Sequence, residues 1–303
     1  MGEEKGPEYP KNGTEIGTST NGGCHAFQRQ WEERPTQTEQ TRRRDAMKLE
    51  GRTAIITGAG RGLGRAIALA VSREGARTAI ISRSADELRE VARQMEGESF
   101  VFTGDVSRPE DVSRMVRETR ERFSSIDILV NNAGMIGPMR FMEDAEERSW
   151  RKTLDVNLNG AFFFAKAVVP LMRDQGGGKI INIVSGLGRM PFPKLCAYSV
   201  SKAGLIQLTL SLSDELKDLG IRVNAIDPGV MDTKMQREIR SLGAEVLGES
   251  IHRHFMQYKK EGHLKDPAEV ARLAVFLASS DADHLSGQVG TLDDYRNHGW
   301  RDE

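Results

Sequence analysis

Thr57-Gly58-Ala59-Gly60-Arg61-Gly62-Leu63-Gly64 follows directly on the β-branched run 53–57 and leads into the apolar helical stretch 66–71. Strand, glycine turn and helix stand in the order that builds a phosphate cradle. Glycine opens backbone angles closed to other residues and lets the chain approach a pyrophosphate, which then meets the positive end of the helix dipole. The same string is compatible with a tight turn that binds nothing, so its context decides. From residue 53 onward, short β-branched runs alternate with longer helical patterns, which predicts a parallel sheet wrapped by helices. Strands are expected at 53–57, 78–82, 99–103, 126–130, 179–184, 221–226 and 288–292. Most are nearly continuous apolar runs, as strands covered on both faces must be. Ser84 with Glu87, Ser107 with Glu110, and Asp266-Pro267 with Glu269 each set a capping side chain three residues before an acid and mark helix starts.

The fold class is therefore α/β, a doubly wound, Rossmann-type parallel sheet of about seven strands with helices on both faces, in a single domain. Of the 303 residues, 43 are Lys or Arg and 44 Asp or Glu, a formal charge of −1, so no field draws the whole protein onto nucleic acid or an anionic membrane. The most apolar stretch, 161–172, is interrupted by Lys166 and Pro170 and falls short of the ~18 apolar residues of a membrane helix. Cys24 and Cys196 make neither a disulfide framework nor a zinc pattern. His252, His254 and His263 lie in a polar region without ligand spacing, and no metal is expected. Residues 1–46 are rich in Gly, Thr, Glu, Gln and Arg with no sustained period, and are expected to be a disordered extension. The trio Arg42, Arg43 and Arg44 reads as a solvated linker. Acidic Glu3, Glu4, Glu8 and Glu15 without an apolar run argue against a secretory or transit leader, so the cytoplasm is the expected location and the folded unit is expected to span 47–303.

Further motifs follow the glycine turn in a fixed order. Asp105-Val106 comes after the third strand, Asn131-Asn132-Ala133-Gly134 after the fourth, and Asn157 within a helix. Ser185 ends the fifth strand, Tyr198-Ser199-Val200-Ser201-Lys202 opens the next helix, and Pro228-Gly229 with Thr233 follows the sixth. Over residues 47–290 this series resembles the short-chain dehydrogenase/reductase family, most nearly 3-oxoacyl-[acyl-carrier-protein] reductases and sugar or small-ketone reductases. The resemblance implies a nicotinamide cofactor held by Thr57, Gly58, Gly60, Arg61, Gly62, Leu63 and Gly64 in the turn. Asp105 would take the adenine amino group and Val106 its ring, with Asn131, Ala133 and Gly134 at the adjacent ribose and cleft floor. Asn131 is equally readable as a residue that only pairs strand backbone. Pro228, Gly229, Val230 and Thr233 would meet the nicotinamide carboxamide, and Tyr198 and Lys202 its ribose.

In sheets of this type the end of the second strand faces the adenosine ribose, where an acid favours a free 2′-hydroxyl and an arginine a 2′-phosphate. That strand here ends in Ser82-Arg83 with no carboxylate, and Arg83 with Arg61 can grip a dianion. NADP is expected, with NAD left open.

Tyr198 and Lys202 stand one helical turn apart and project from the same face. A free phenol has a pKa near ~10, and a nearby ammonium is expected to lower it; two to three units would require about 2.7–4 kcal/mol, expected in a partly desolvated cleft beside the positive ring of an oxidised nicotinamide, with Lys202 supplying part of the field. Ser185, at the carboxyl end of its strand, is placed to hold a substrate oxygen. Asn157 resembles the family residue that anchors a water chain to the lysine. The expected catalytic set is thus Asn157, Ser185, Tyr198 and Lys202: Ser185 and Tyr198 polarise a carbonyl, hydride reaches its carbon, and Tyr198 supplies the proton, or the reverse for an alcohol.

Met135, Ile136, Leu187, Met190 and Phe192 suggest an apolar small-molecule pocket with Arg189 as anchor for an acidic group and Cys196 as small filler, under a lid over 231–263. The resemblance implies a homotetramer or dimer. The family's final Asp-Gly-Gly is absent, because Thr291-Leu292 continues as Asp293-Asp294-Tyr295-Arg296. Two alternatives stay open: an NAD-dependent sugar or alcohol dehydrogenase, and a cofactor-binding regulator or scaffold without turnover.

Overall fold

Successive residues of the strands enter opposite cores, and this alternation organises the molecule. In β1 (Thr53–Thr57) Ile55 joins one apolar cluster and Ile56 the other; in β2 (Arg77–Ser82) Ile80 and Ile81 divide the same way. The structure is a computed structural model that describes residues 47–260 and 264–302. The expected disordered extension 1–46, with Arg42, Arg43, Arg44 and Cys24, and His263 lie outside the described residues, as does the side chain of His254.

With β3 (Ser99–Thr103), β4 (Ile128–Asn131), β5 (Gly178–Ile183), β6 (Ile221–Ile226) and β7 (Val289–Gly290), the strands form one seven-stranded sheet in the order β3-β2-β1-β4-β5-β6-β7, parallel throughout. The chain winds outward from β1 to β3, then returns to the other side of β1 for β4. The sheet therefore has a topological switch point where the loops after β1 and β4 diverge, and in such sheets ligands bind there. Helices α1 (Gly62–Arg73) and α10 (Pro267–Ala278) pack on one face. Helices α3 (Pro109–Phe123), α5 (Gly160–Asp174) and α6 (Cys196–Glu215) cover the other, and α2 (Ala85–Arg93) closes the β2–β3 edge. Beyond the carboxyl ends, α7 (Lys234–Ser241), α8 (Gly243–Leu247) and α9 (Glu249–Lys260) build a separate apolar cluster in which Ile239, Leu247 and Phe255 meet Met139, Leu195 and Tyr198. No described helix is long and apolar enough to cross a membrane.

β2, β4 and β5 depart from the expected bounds by one or two residues, and two further element ends are corrected. Ser107 does not cap α3: Arg108 holds the cap position with Pro109 at the first helical residue, and the Ser107 hydroxyl donates to Asp105 at 2.7 Å. The last strand stops at Gly290 because Thr291 leaves the sheet to open a capping box with Asp294, starting α11 (Leu292–Arg296). This segment folds back on its own sheet. Tyr295 Oη lies 2.9 Å from the Ala225 carbonyl and 3.0 Å from that of Gln288, while Trp300 is buried in the same cluster as α1 and α10, with the Arg296 guanidinium 5.3 Å from its ring centre.

Trp300→Ala is expected to cost roughly 3–5 kcal/mol of stability by cavity formation, and Tyr295→Phe roughly 1–3 kcal/mol through the acceptors it strands. Thermal unfolding of the two variants beside the parent checks the order; an unchanged Tm for Trp300→Ala would show that the segment contributes nothing to the core.

Candidate active site

The carboxyl ends of the strands open into a cavity of about 960 Å³. Its floor is the glycine turn. Gly58 N–H donates to the Ile81 carbonyl at 2.8 Å, pulling the turn under β2, and α1 begins at Gly62 with no side-chain cap at Arg61. The first amides of α1 are thus left to meet an anion. Gly62 has φ +56°, a left-handed angle, and a β-carbon at Gly64 would lie 2.3 Å from the Gly58 carbonyl oxygen, so this turn admits no side chain where helix and loop cross.

Thr57 is buried away from the cavity. Its hydroxyl accepts from the Asn132 and Ala133 amides at 2.9 and 3.0 Å, while the Asn132 side chain donates to the Thr57 and Gly58 carbonyls. The β1 and β4 loops are therefore locked to each other by Thr57 and Asn132. Asn131 is buried at the end of β4, where its side chain pairs neither strand backbone nor the cavity lining but donates to Asn182 Oδ1 at 2.9 Å across β4 and β5. Asn132, which the sequence did not single out, lines the cavity in its place together with Ala133 and Gly134.

At one end of the cavity stand Gly60, Arg61, Ser82, Arg83, Asp105 and Val106. Burial pushes the Asp105 carboxyl up, but hydrogen bonds from the Ser107 side chain and amide and the charges of Arg83 and Lys152 outweigh it and hold the group below its usual range. Glu87, seen in the sequence only as a helix-start acid, also faces this corner, with its carboxylate 3.6 Å from the Arg61 guanidinium. The corner therefore carries two arginines against two carboxylates.

At the other end, Ser185, Tyr198 and Lys202 share the wall. Ser185 opens a short 3₁₀ turn, Gly186–Gly188, and its hydroxyl accepts from the Leu187 amide at 3.3 Å; the same side chain is hydrogen-bonded to the Tyr198 phenol. Lys202, on the inner face of α6, donates to the Ile183 carbonyl at 2.7 Å and lies 5.8 Å from the centre of the Tyr198 ring. Lys202 is buried and Tyr198 half-buried. Burial pushes the phenol up to about 12, against the lowering bond from Ser185, with the Asp227 carboxylate adding to the rise. Burial brings the ammonium down to about 8, with Asp227 opposing the fall. In the free protein desolvation dominates and holds the phenol above its ordinary range. Asp227 was not anticipated; its only sequence signal is a carboxylate immediately after a buried strand.

Asn157 does not line the cavity. It sits in a π-helical turn, Asp155–Asn159, between α4 (Glu147–Leu154) and α5. Its side chain brackets Met135, accepting from the amide at 2.8 Å and donating to the carbonyl at 2.9 Å, and donates to Ser201 Oγ at 3.0 Å. Both amide donors are used within the protein, and one lone pair of Oδ1 is left for a relay. A β-carbon on Gly134 would stand 3.5 Å from that oxygen and 3.7 Å from Lys202 Nζ, so Gly134 separates the two groups.

Pro228, Gly229, Val230 and Thr233 line the cavity beyond the end of β6, the Thr233 hydroxyl already accepting from the Gln236 amide as the cap of α7. Met135, Ile136, Leu187, Met190 and Phe192 form an apolar wall, joined by Met231, Met235, Ile239 and Phe255. Two expectations fail here. Arg189 turns away and donates to the Val289 carbonyl, and Cys196 is exposed at the start of α6; neither lines the cavity. Among the described residues no group of three or more His, Cys, Asp or Glu side chains is placed to hold a metal ion.

A family profile described as short chain dehydrogenase matches residues 52–242. The chain belongs to the short-chain dehydrogenase/reductase family. It is 33% identical over 250 residues to a 3-oxoacyl-[acyl-carrier-protein] reductase of Thermotoga maritima, covering 82% of this chain and 98% of that protein. Among solved structures, levodione reductase superposes with a TM-score of 0.75 at 30% identity, covering 83% of this chain and 100% of the other. A Brucella melitensis 3-ketoacyl-(acyl-carrier-protein) reductase complexed with NADH superposes at 0.71 with 29% identity, covering 80% and 97%. The protein is accordingly an oxidoreductase of this family, with a fold that binds a nicotinamide dinucleotide.

In ultraviolet titration of the free protein, with Tyr198→Phe as the blank, the Tyr198 phenolate is expected only well above the ordinary 10.0, towards about 12. Ser185→Ala is expected to move it higher still, since a donor to the phenolate is lost. Ionisation near 10.0 in both proteins would show the phenol to be solvated.

Proposed function

We propose that the protein is an NADP(H)-dependent reductase that converts a carbonyl on a small apolar molecule to a secondary alcohol, or runs the reverse. The observation that carries this is the convergence of Ser185, Tyr198 and Lys202 on the cavity whose floor is the glycine turn. The uncapped start of α1 and the crossing at Gly64 fit a pyrophosphate, Pro228 to Val230 would hold the nicotinamide end, and Asp105 and Val106 the adenine end. When bound, the cofactor supplies or accepts the hydride.

The chain's own residues do the rest. Ser185 holds the substrate oxygen by hydrogen bonding, and Tyr198, a phenol across the neutral range, donates a proton to that oxygen as it gains charge. Lys202, fixed on the Ile183 carbonyl, keeps an ammonium beside the phenol. Asn157 ties the loop at Met135 to α6 and offers one oxygen lone pair to a proton relay. The apolar wall under α7–α9 excludes water and suits a hydrocarbon-rich ketone or acyl chain, the kind of substrate named for the Thermotoga and Brucella relatives. We infer further that residues 47–303 act as one domain with 231–263 as the substrate lid, and that the protein works in the cytoplasm. Copies would associate through α5 and α6, where Phe162, Val200 and Leu210 are exposed.

NADP rests on Arg61 and Arg83, which both line the adenosine corner where no carboxylate ends β2. One observation favours NAD instead: Glu87 stands in the same corner, paired with Arg61, and a carboxylate there would repel a 2′-phosphate. Arg83→Asp is expected to raise KM for NADPH at least tenfold more than KM for NADH, about 1.4 kcal/mol of discrimination. Equal effects, with a lower KM for NADH in the parent, would establish the NAD alternative. Tyr198→Phe should lower kcat by at least about a hundredfold while cofactor affinity, read by nucleotide fluorescence, stays unchanged. Retained turnover would remove Tyr198 from the chemistry, and absence of turnover in the parent against ketones, 3-oxoacyl thioesters and oxidised sugars would favour a scaffold role.

A further inference from the structure

We propose that Asp227 is a positioning residue that raises the pH at which alcohol oxidation sets in, its buried carboxylate acting on the Tyr198–Lys202 pair from the end of β6. The inference rests on Tyr198 being the proton donor proposed above.

Asp227 directly follows Ile226, which pairs with Ile183, the residue whose carbonyl holds Lys202. The carboxylate is therefore carried to the Lys202 anchor by sheet register, not by a loose loop. Its backbone is pinned by the amide bond to the Gly290 carbonyl at 2.7 Å. Oδ1 accepts from the Gly229 amide at 3.1 Å, while Oδ2 points at the turn after Ser185, 3.2 Å from where a β-carbon on Gly186 would stand. The residue is 9% exposed and borders the cavity beside Ser185 and Pro228. A carboxylate desolvated to this extent needs a reason to be there, and among the hydrogen bonds of the described residues it has the Gly229 amide.

Its charge reaches both members of the pair: it makes the phenolate of Tyr198 less favourable and the ammonium of Lys202 more so. The other charged groups that line the cavity are Lys234 and Glu238 of α7, Lys265 before α10, and Arg61, Arg83, Glu87 and Asp105 in the adenosine corner. The α7–α9 side packs against Tyr198 with apolar residues, and Asp227 is the charge that raises the phenol. The consequence differs by direction. Carbonyl reduction starts from the phenol, which Asp227 preserves. Alcohol oxidation, in which the alcohol loses its O–H proton to Tyr198 and its C–H hydride to the oxidised nicotinamide, starts from the phenolate, which Asp227 disfavours.

Asp227→Asn removes the charge and keeps an acceptor for the Gly229 amide; Asp227→Glu keeps the charge. In Asp227→Asn the rising limb of the kcat/KM profile for alcohol oxidation is expected to move down by about one pH unit, about tenfold more oxidation at a fixed pH below the limb. Ultraviolet titration of the free protein should show the Tyr198 phenolate moving the same way, while Asp227→Glu stays with the parent. If Asp227→Asn does not fold, Asp227→Ser is read identically. An unmoved limb and titration in the neutral variant, or an equal move in Asp227→Glu, would overturn the inference. The titration needs no substrate, so it stands apart from the Tyr198→Phe assay: activity surviving in Tyr198→Phe defeats the proposed chemistry, whereas an inactive Tyr198→Phe with an unmoved Asp227→Asn defeats only the role of Asp227.

Discussion

Lys202 is 4% exposed and donates to the Ile183 carbonyl at 2.7 Å, and the geometry of the Ser185, Tyr198 and Lys202 cluster hangs on that contact. An ammonium is expensive to desolvate, and an anchored, hydrogen-bonded position is what makes its burial tolerable. Because Ile183 ends β5 and Lys202 lies on α6, the bond fixes the helix against the strand end at the level of the cavity. Tyr198, one turn earlier, is then held over Ser185, which begins the loop after β5. Asn157 secures the helix from the other side through Ser201, the neighbour of Lys202.

A second lock acts at the switch point. The divergence of the β1 and β4 loops would leave a gap with unpaired amides at the middle of the sheet. Thr57 and Asn132 close it by exchanging bonds with each other's backbone, which ties the turn after β1 to the loop after β4. The two locks lie at the ends of neighbouring strands and leave the cavity between them. The glycine turn and the Ser185, Tyr198 and Lys202 side chains thus line one cavity.

The sequence was informative wherever one residue type answers to one physical demand. Continuous apolar runs revealed the strands; β1 and β6 have the expected bounds, because burial on both faces leaves little choice of composition, and the edge strand β3, with only Phe102 buried, has them as well. The glycine turn and the Tyr198–Lys202 spacing were equally legible. Legibility failed where a polar side chain had two possible partners. Ser107 could cap a helix or hold Asp105, and it holds Asp105. Of the adjacent Asn131 and Asn132, strand alternation sends one to Asn182 inside the sheet and the other to the cradle, a choice that depends on where β4 ends. Arg189 turned to the Val289 carbonyl because the 3₁₀ turn after Ser185 aims it at the sheet edge. Asp227 carries no motif at all; its importance comes from the register of β6 beside β5.

The same logic explains the atypical carboxyl-terminal segment. β7 is only two residues long, so it leaves a short edge with the β6 end and the α1–α10 face to be covered. Thr291 breaks the strand, α11 turns the chain, and Tyr295 and Trp300 fill that face within the same subunit, with Arg272–Asp302 and Arg296–Glu269 pairs around the rim. A large apolar surface is thereby consumed intramolecularly. Exposed pairs of this kind add little energy, so the segment is held by its two aromatic rings and the capping box rather than by charge. Association of copies, if driven by burial, has its apolar material on the opposite face, along α5 and α6, where Phe162, Val200 and Leu210 are still in contact with water.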